Sequence, residues 1–267
     1  MPRSIFNETF RRGWRGMIFW GVGLGLLGFV MMIIIPNIGF LKQLEGLVNT
    51  MPAVIKALGM DDAAQMATPE GFISAGYFGR VLLIVAVYAV LAGLNITANE
   101  EDQGIMDIVL SLPVPRWRII IEKFAAYALM LVAIVLFGFV GLVVGSISSA
   151  IQVDVSKLFI SSLNILPSAW LILAFTLLAG TFFRRKNQAT AVTALFIVAS
   201  YIVDFAGSAA SESPIGRLRS FSFFAYYDNA HIMQTGLNAG FIALLLALTL
   251  ILLVASLWCF QRRDFGG

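Results

Sequence analysis

The sequence lacks most of the groups from which catalytic and metal sites are built. One cysteine, Cys259, in 267 residues excludes an internal disulfide, and the single histidine, His231, argues against a histidine-based metal site. No G-x-x-x-x-G-K-[ST] motif is present, so the chain does not bind ATP through a P-loop. The H-E-x-x-H and G-x-S-x-G motifs are also absent. We therefore expect no catalytic residue, no metal ligand and no cofactor in this chain.

Charge is also scarce, and long apolar runs take its place. Only 12% of the residues are charged whereas 59% are hydrophobic, and the mean hydropathy is +0.89. Apolar stretches of about 18 or more residues recur along the chain, which is the length that crosses a bilayer as a helix. The sequence predicts an all-α polytopic membrane protein, a single transmembrane domain over 1–267 with six transmembrane helices. The predicted spans are 17–35, 79–98, 124–146, 163–183, 189–205 and 240–260.

The lysines and arginines are distributed unevenly between the two sides of this predicted bundle. Six spans bring both termini to one side, and that side receives twelve of the eighteen bases. They are Arg3, Arg11, Arg12, Arg15, Arg116, Arg118, Lys123, Arg184, Arg185, Lys186, Arg262 and Arg263. The positive-inside rule therefore predicts that both termini are cytoplasmic and that the protein lies in the cytoplasmic (inner) membrane. The segment 99–123 would then be cytoplasmic as well.

Two segments outside the spans have a composition typical of membrane interfaces. In residues 1–16, Phe6, Phe10 and Trp14 recur every four residues and arginines take the other side. This pattern predicts an interfacial elbow helix, with a disordered basic tail as the alternative. Residues 206–236 are rich in aromatic side chains, which predicts an outer re-entrant or interfacial element.

Small and acidic residues within the spans predict helix contacts. Gly21 and Gly25 form one G-x-x-x-G motif, and Gly141 and Gly145 form another. Such motifs allow helix backbones to approach closely, either within one chain or in a dimer. Asp204 is the one acid near a span interior, and we expect it to end a helix or to meet a base rather than to carry a proton.

The segment 99–123 is the one long charged stretch between two long apolar ones. It opens with three acids, which favour the start of a helix, and Pro113 ends that helix before the chain returns to the membrane. One face of the predicted helix is a polar stripe of Asn99, Gln103, Asp107 and Ser111. The opposing face is apolar and consists of Ile105, Ile108, Val109 and Leu112. A short rigid helix between two membrane helices can transmit a push from a partner. The alternative is a solvated loop.

This segment resembles the E-E-x-G-T-L-[DE]-x-L-L-S-x-P-V-S-R signature of type-2 ABC exporter permeases. The matching residues are Glu100, Glu101, Gly104, Asp107, Leu110, Ser111, Pro113, Val114 and Arg116, with two residues instead of one between Glu101 and Gly104. The chain differs at Ile105 and Met106, where the signature has Thr-Leu, and at Pro115, where it has Ser. Residues 222–227 and 260–264 are weaker similarities to the same family.

The resemblance implies a permease subunit that has no ATP site of its own and is coupled to a separate ATPase subunit. ATP and Mg would be bound by that partner, of which two copies are expected. A second permease subunit would complete a homo- or heterodimer in the lipid bilayer, and no nucleic-acid partner is expected. The implied contact with the ATPase is a coupling helix formed by Glu100, Glu101, Asp102, Gln103, Gly104, Ile105, Met106, Asp107, Leu110, Ser111, Pro113 and Arg116. Arg116 and Lys123 would anchor its return to the membrane.

The sequence indicates only the general class of the transported molecule. Because the spans carry few charges, an amphipathic, lipid-like or drug-like cargo is favoured over a small ion. Two functions of other classes are also compatible with the sequence. One is a membrane accessory or immunity protein that binds a partner and transports nothing, and the other is a secondary transporter.

Overall fold

The computed structural model describes residues 4–34, 68–99, 115–149, 153–183, 185–209, 214–228 and 232–262. Every regular element in these ranges is helical. The elements are α1 (Ile5–Ile34), α2 (Pro69–Ile73), a π-helical turn (Ser74–Phe78), α3 (Gly79–Ile96), α4 (Arg116–Ser148), α5 (Val155–Leu163), α6 (Ile165–Phe182), α7 (Lys186–Ala209), a 3-10 helix (Pro214–Phe221), α8 (Phe223–Tyr227), α9 (Ile232–Thr235) and α10 (Ala239–Arg262).

Six stretches of the described chain are long and apolar enough to cross a membrane. They are Ile5–Ile34, Pro69–Ile96, Arg116–Ser148, Val155–Phe182, Lys186–Ser208 and Ala239–Arg262. The prediction of an all-α polytopic membrane protein with six spans is therefore confirmed. Two of the spans are interrupted, one by the π-helical turn and the other at Asn164 between α5 and α6.

Two helices extend well beyond their apolar runs. The elbow helix expected over 1–16 is not a separate element, because α1 continues without a break from Ile5 to Ile34. No proline interrupts this stretch, and Gly13 packs against Met130 of α4 instead of breaking the helix. Likewise α4 begins at Arg116, so the last residues of the charged segment 99–123 form its first two turns.

Glycines bring the backbones of α1 and α4 into contact in the stretch from Gly25 to Met32 of α1. A Cβ atom built on Gly141 would overlap the carbonyl group of Gly25, and one built on Gly28 would lie 3.1 Å from the carbonyl oxygen of Gly138. Further along, a Cβ on Gly145 would lie 2.6 Å from the Cβ of Met32. The two G-x-x-x-G motifs therefore pack against each other within one chain, and the two helices run in the same direction.

Helix α6 lies at the centre of the bundle. It packs against α3, α4, α7 and α10, and most of its side chains are buried. The contact with α3 is close, because a Cβ on Gly93 would lie 2.6 Å from the Cβ of Thr176. The hydroxyl of Thr176 donates to the carbonyl of Ile172 at 2.7 Å, which satisfies this polar group inside an apolar core.

The end of the bundle opposite to Asn99 is closed by the aromatic segment after α7. Phe223, Phe224 and Tyr227 of α8 are buried, and the Tyr227 hydroxyl donates to the carbonyl of Phe78 at 3.0 Å. The amide of Asn164 donates to the carbonyl of Tyr227. This part of the predicted element 206–236 is thus packed into the bundle by polar and aromatic contacts together.

Asp204, near the end of α7, is paired within the same region. Its carboxylate lies 3.0 Å from the Nε of Arg219 on the 3-10 helix. The structure therefore agrees with the expectation that this acid meets a base. The pair fastens the aromatic segment to α7.

Candidate functional site

The structure describes both ends of the predicted coupling helix but not the helix itself. Of the predicted contact residues only Arg116 falls within the described ranges, and it is exposed at the first position of α4. Residues 100–113 lie outside them. The candidate site is therefore built from the residues that hold the two ends of this segment, at Asn99 and at Pro115.

Lys123 connects these two ends through the interior. Its side chain is only 4% exposed, and its ammonium group donates to the carbonyl of Ile96 at 3.2 Å. That carbonyl belongs to the last turn of α3, where backbone acceptors have no partner within the helix and the helix dipole favours a positive charge. A lysine on α4 thus caps the helix that leads into the coupling segment.

A second lysine holds the end of α3 from another direction. The side-chain Nδ2 of Asn99 donates to the side-chain Oδ1 of Asn95 at 2.7 Å, one helical turn earlier. The Asn99 oxygen accepts from the Nζ of Lys186 at 2.8 Å. Since Lys186 is the first residue of α7, this chain of two hydrogen bonds ties α3 to α7.

The start of α4 is in turn tied to the start of α1. Glu122 accepts a hydrogen bond from the backbone N–H of Phe6 at 3.0 Å, and its other oxygen lies 2.6 Å from the Nε of Arg118. A carboxylate in this position satisfies one of the unpaired N–H groups that begin α1. The ends of α1, α3, α4 and α7 are consequently linked at one end of the bundle.

The end of α6 packs against the same cluster. A Cβ on Gly180 would lie 2.7 Å from the hydroxyl oxygen of Thr97 and 3.4 Å from the Cβ of Ala98. No larger residue than glycine fits there without a shift. Because this contact is so close, a displacement of the last turn of α3 also displaces the end of α6.

A polar cleft of about 390 Å³ lies beside this cluster, between α1 and α3. Its walls include Gly16 and Trp20 of α1 and Asn95 and Asn99 of α3, and Tyr127 of α4 contributes as well. Among the described residues no group of three or more His, Cys, Asp or Glu side chains is placed to hold a metal ion. The cleft offers hydrogen-bonding groups rather than a ligand set for a metal.

An apolar groove of about 700 Å³ continues from the cleft along α1. Trp20 lines both cavities and marks the place where they adjoin. Apart from Arg15 and Gly23, the groove is lined by aliphatic and aromatic side chains of α1 together with Ile84 of α3. Neither cavity can be recognised in the sequence, because a helix face that lines a groove has the same apolar composition as one that faces lipid.

The family comparison covers almost the whole chain. The model of the ABC-2 family transporter protein matches residues 3–265. The chain belongs to the ABC-2 transporter family. The resemblance inferred from residues 100–116 is thus confirmed at the level of the family, whose members are permease-type membrane components of ABC transporters. No curated protein matches the chain at a significant level.

Membership in the ABC-2 family suggests what the linked helix ends are for. A membrane component of an ABC transporter works together with an ABC ATPase and typically has no ATP site of its own. In the sequence, residues 100–114 lie between Asn99 and the start of α4, and the cluster around Lys123 and Asn99 holds the described residues on either side of them. The cluster is therefore the candidate site for passing movement into the helices.

Proposed function

We propose that the chain is the permease subunit of an ATP-driven exporter, with residues 100–112 as its contact with the ATPase. Two permease subunits and two ATPase subunits would form the transporter, and ATP and Mg would be bound by the ATPases. The family match supports the partnership with an ABC ATPase. The observation that carries the coupling proposal is the buried hydrogen bond of Lys123 to Ile96.

The linked helix ends support this proposal mechanically. A force applied to the segment 100–114 acts on α3 and α4 through the chain itself. It also reaches α7 through the bond between Asn99 and Lys186, and α1 through the bond between Glu122 and Phe6. Lysines are rarely buried unless they have a partner, and a lysine that only made a loop soluble would be exposed. The burial of Lys123 therefore favours a structural role over a solvated loop.

The orientation follows from charge. With residues 100–114 facing the ATPase, both termini and the basic residues around Arg185 lie on the cytoplasmic side of the inner membrane. The aromatic segment that contains α8 then lies at the outer end, where it closes the path between the helices. Its opening would require the bond between Tyr227 and Phe78 to break.

The test is co-purification with an ABC ATPase subunit expressed together with the permease, together with cargo-stimulated ATP hydrolysis. Glu101→Lys and Gly104→Trp are expected to abolish complex formation or stimulated hydrolysis while membrane insertion is retained. The matched control is Lys157→Glu, a charge reversal at the opposite end of the bundle, where Lys157 is 43% exposed and lies 3.6 Å from Glu70.

Each alternative function predicts a different result. A membrane accessory or immunity protein would bind its partner without any stimulated ATP hydrolysis. A secondary transporter would move its cargo in vesicles that contain an ion gradient and no ATPase. Unchanged complex formation and unchanged hydrolysis in both variants would refute the assignment of residues 100–112 as the contact.

A further inference from the structure

Helices α1 and α3 meet near one end of the bundle and are separated near the other. At the end of the π-helical turn, a Cβ on Gly76 would lie 3.8 Å from the side chain of Met31. Toward Asn99 the polar cleft occupies the space between the two helices, and the apolar groove lies along α1 and contacts α3 at Ile84. A Cβ on Gly16 or on Gly23 would meet no atom within 4 Å, so this face of α1 borders open space.

The cleft and the groove differ sharply in chemistry. The side chains around the cleft include two amides and two phenols, from Asn95, Asn99, Tyr88 and Tyr127. The groove is lined, apart from Arg15 and Gly23, by aliphatic and aromatic side chains of α1 and by Ile84. A polar cavity and an apolar one therefore adjoin at Trp20, which is the arrangement that an amphiphile requires.

The groove is long enough to cross one leaflet of a bilayer. It follows α1 from Trp14 to Leu27, and thirteen residues of α-helix rise about 20 Å. Half of the hydrocarbon core of a bilayer is about 15 Å thick. An acyl chain lying in the groove would therefore span the leaflet that is nearer to Asn99, with its headgroup in the polar cleft.

The charges at the mouth favour an anionic headgroup. Arg12 lines the polar cleft and Arg15 lines the groove. Glu8 lies 3.0 Å from Arg11 and 2.9 Å from Arg12, so these four side chains of α1 together carry two positive charges in excess. Guanidinium groups bind phosphate and carboxylate oxygens with paired hydrogen bonds.

We propose that the cleft between α1 and α3 binds the cargo of the exporter, an acyl amphiphile with an anionic headgroup taken from the cytoplasmic leaflet. The headgroup lies against Asn95 and Asn99, and the acyl chain lies in the groove along α1. This inference rests on the proposed export function. Binding to the site is measurable without the ATPase, so failure of the cleft and failure of the coupling contact give different results.

The test uses a phosphatidylglycerol with a photoactivatable diazirine in its acyl chain. The permease is reconstituted in phosphatidylcholine nanodiscs containing this probe, irradiated, and analysed by peptide mass spectrometry. Labelling is expected on the face of α1 that contains Ile18 and Val22 and on the adjoining part of α3. A diazirine phosphatidylcholine is expected to label the same peptides about tenfold less, because it lacks a net negative charge for the arginines.

Two substitutions fill the site without touching the packing of the bundle. Gly16→Phe occupies the polar cleft and Gly23→Phe occupies the groove, and both positions have open space where the new side chain begins. Each is expected to reduce labelling about tenfold and to remove stimulation of ATP hydrolysis by phosphatidylglycerol in the complete complex. The matched control, Leu250→Phe, lies on α10 at a position that is 61% exposed and should leave both readouts unchanged.

Four results would overturn the proposal. The first is labelling spread evenly over the exposed faces of α1 and α10. The second is equal or stronger labelling by the phosphatidylcholine probe. This result would show that the arginines do not select an anionic headgroup, against which the acids 100–102 that follow Asn99 in the chain would act. The third is site-specific labelling with no effect of phosphatidylglycerol on hydrolysis, which indicates a structural lipid. The fourth is loss of a permease dimer instead of lipid labelling in Gly23→Phe, which assigns the groove to a second copy of the chain.

Discussion

The contact between Gly25 and Gly141 makes a sharp prediction about a single methyl group. Replacing Gly141 with alanine places a Cβ atom on top of the Gly25 carbonyl group, and three backbone atoms of Gly25 are its nearest neighbours. Backbone atoms cannot move aside by rotating a side chain. The substitution therefore forces α1 and α4 apart over the region where they are in closest contact.

Two opposing effects determine the size of the change. Alanine is favoured over glycine within a helix by up to about 1 kcal/mol, which acts in favour of the variant. Overpacking a tightly packed interior costs about 1–3 kcal/mol, and more where the backbone has to shift. Because the overlap here involves backbone on both sides, we expect the steric cost to exceed the gain, with a net loss of about 1–2 kcal/mol.

Gly23 provides the control for the helical preference alone. It lies on α1 two residues before Gly25, and a Cβ at this position meets no atom within 4 Å. Gly23→Ala should be neutral or slightly stabilising. For a chain of this size a change of 1 kcal/mol corresponds to about 2–4 °C in the midpoint of thermal unfolding.

The measurement is thermal unfolding of the purified permease in detergent, followed by the fluorescence of its tryptophans. Gly141→Ala is expected to unfold several degrees below the parent chain, and Gly23→Ala at or above it. Equal midpoints for these two variants would refute the argument that α1 and α4 pack through these glycines. A midpoint that depends on protein concentration in the parent but not in Gly141→Ala would indicate instead that the glycine contact lies between two chains.

Three further predictions concern the polar contacts at the two ends of the bundle. Lys123→Met should lower the free energy of unfolding by about 1–3 kcal/mol, because it leaves a buried carbonyl of α3 without its charged donor. Lys157→Met, at an exposed site, should change the free energy of unfolding by less than about 1 kcal/mol. Equal effects of the two substitutions in chemical unfolding would contradict this prediction. A double-mutant cycle on Asp204→Asn and Arg219→Gln should give a coupling energy of about 0.5–1 kcal/mol that decreases with added salt, since the pair is partly exposed. A coupling energy that does not change with salt would contradict a solvent-exposed ion pair. Tyr227→Phe should cost about 1–3 kcal/mol by removing the donor to the carbonyl of Phe78 at the end of the π-helical turn, and a thermal midpoint equal to that of the parent would contradict the buried bond.

The number and type of the helices could be predicted from the sequence, whereas their ends could not. Hydropathy reports which residues tolerate lipid, so the span after the charged segment was expected to begin at Phe124. The helix begins at Arg116 because backbone hydrogen bonding continues through charged residues as readily as through apolar ones. The same difference makes α1 a single helix from Ile5 onward.

The site shows a similar limit. The cytoplasmic side predicted for residues 184–186 depends only on their positive charge. The bond between Lys186 and Asn99 joins residues 87 positions apart and depends on how α7 packs beside α3. The G-x-x-x-G motifs likewise predict a close approach without identifying the partner helix. Sequence patterns of this kind give the kind of contact, and tertiary packing decides between which residues it forms.

The packing divides the bundle along the line where the cleft lies. Helices α1 and α4 are held together by backbone contact through glycines, and α3 and α6 are held together through Gly93 and Gly180. The segment 100–114 leaves the second pair at Asn99 and enters the first pair at Arg116. A force on this segment therefore acts on both pairs at once, with Lys123 as the buried connection between them. Because the cleft between α1 and α3 has one wall in each pair, movement of the pairs relative to each other changes the width of the cleft.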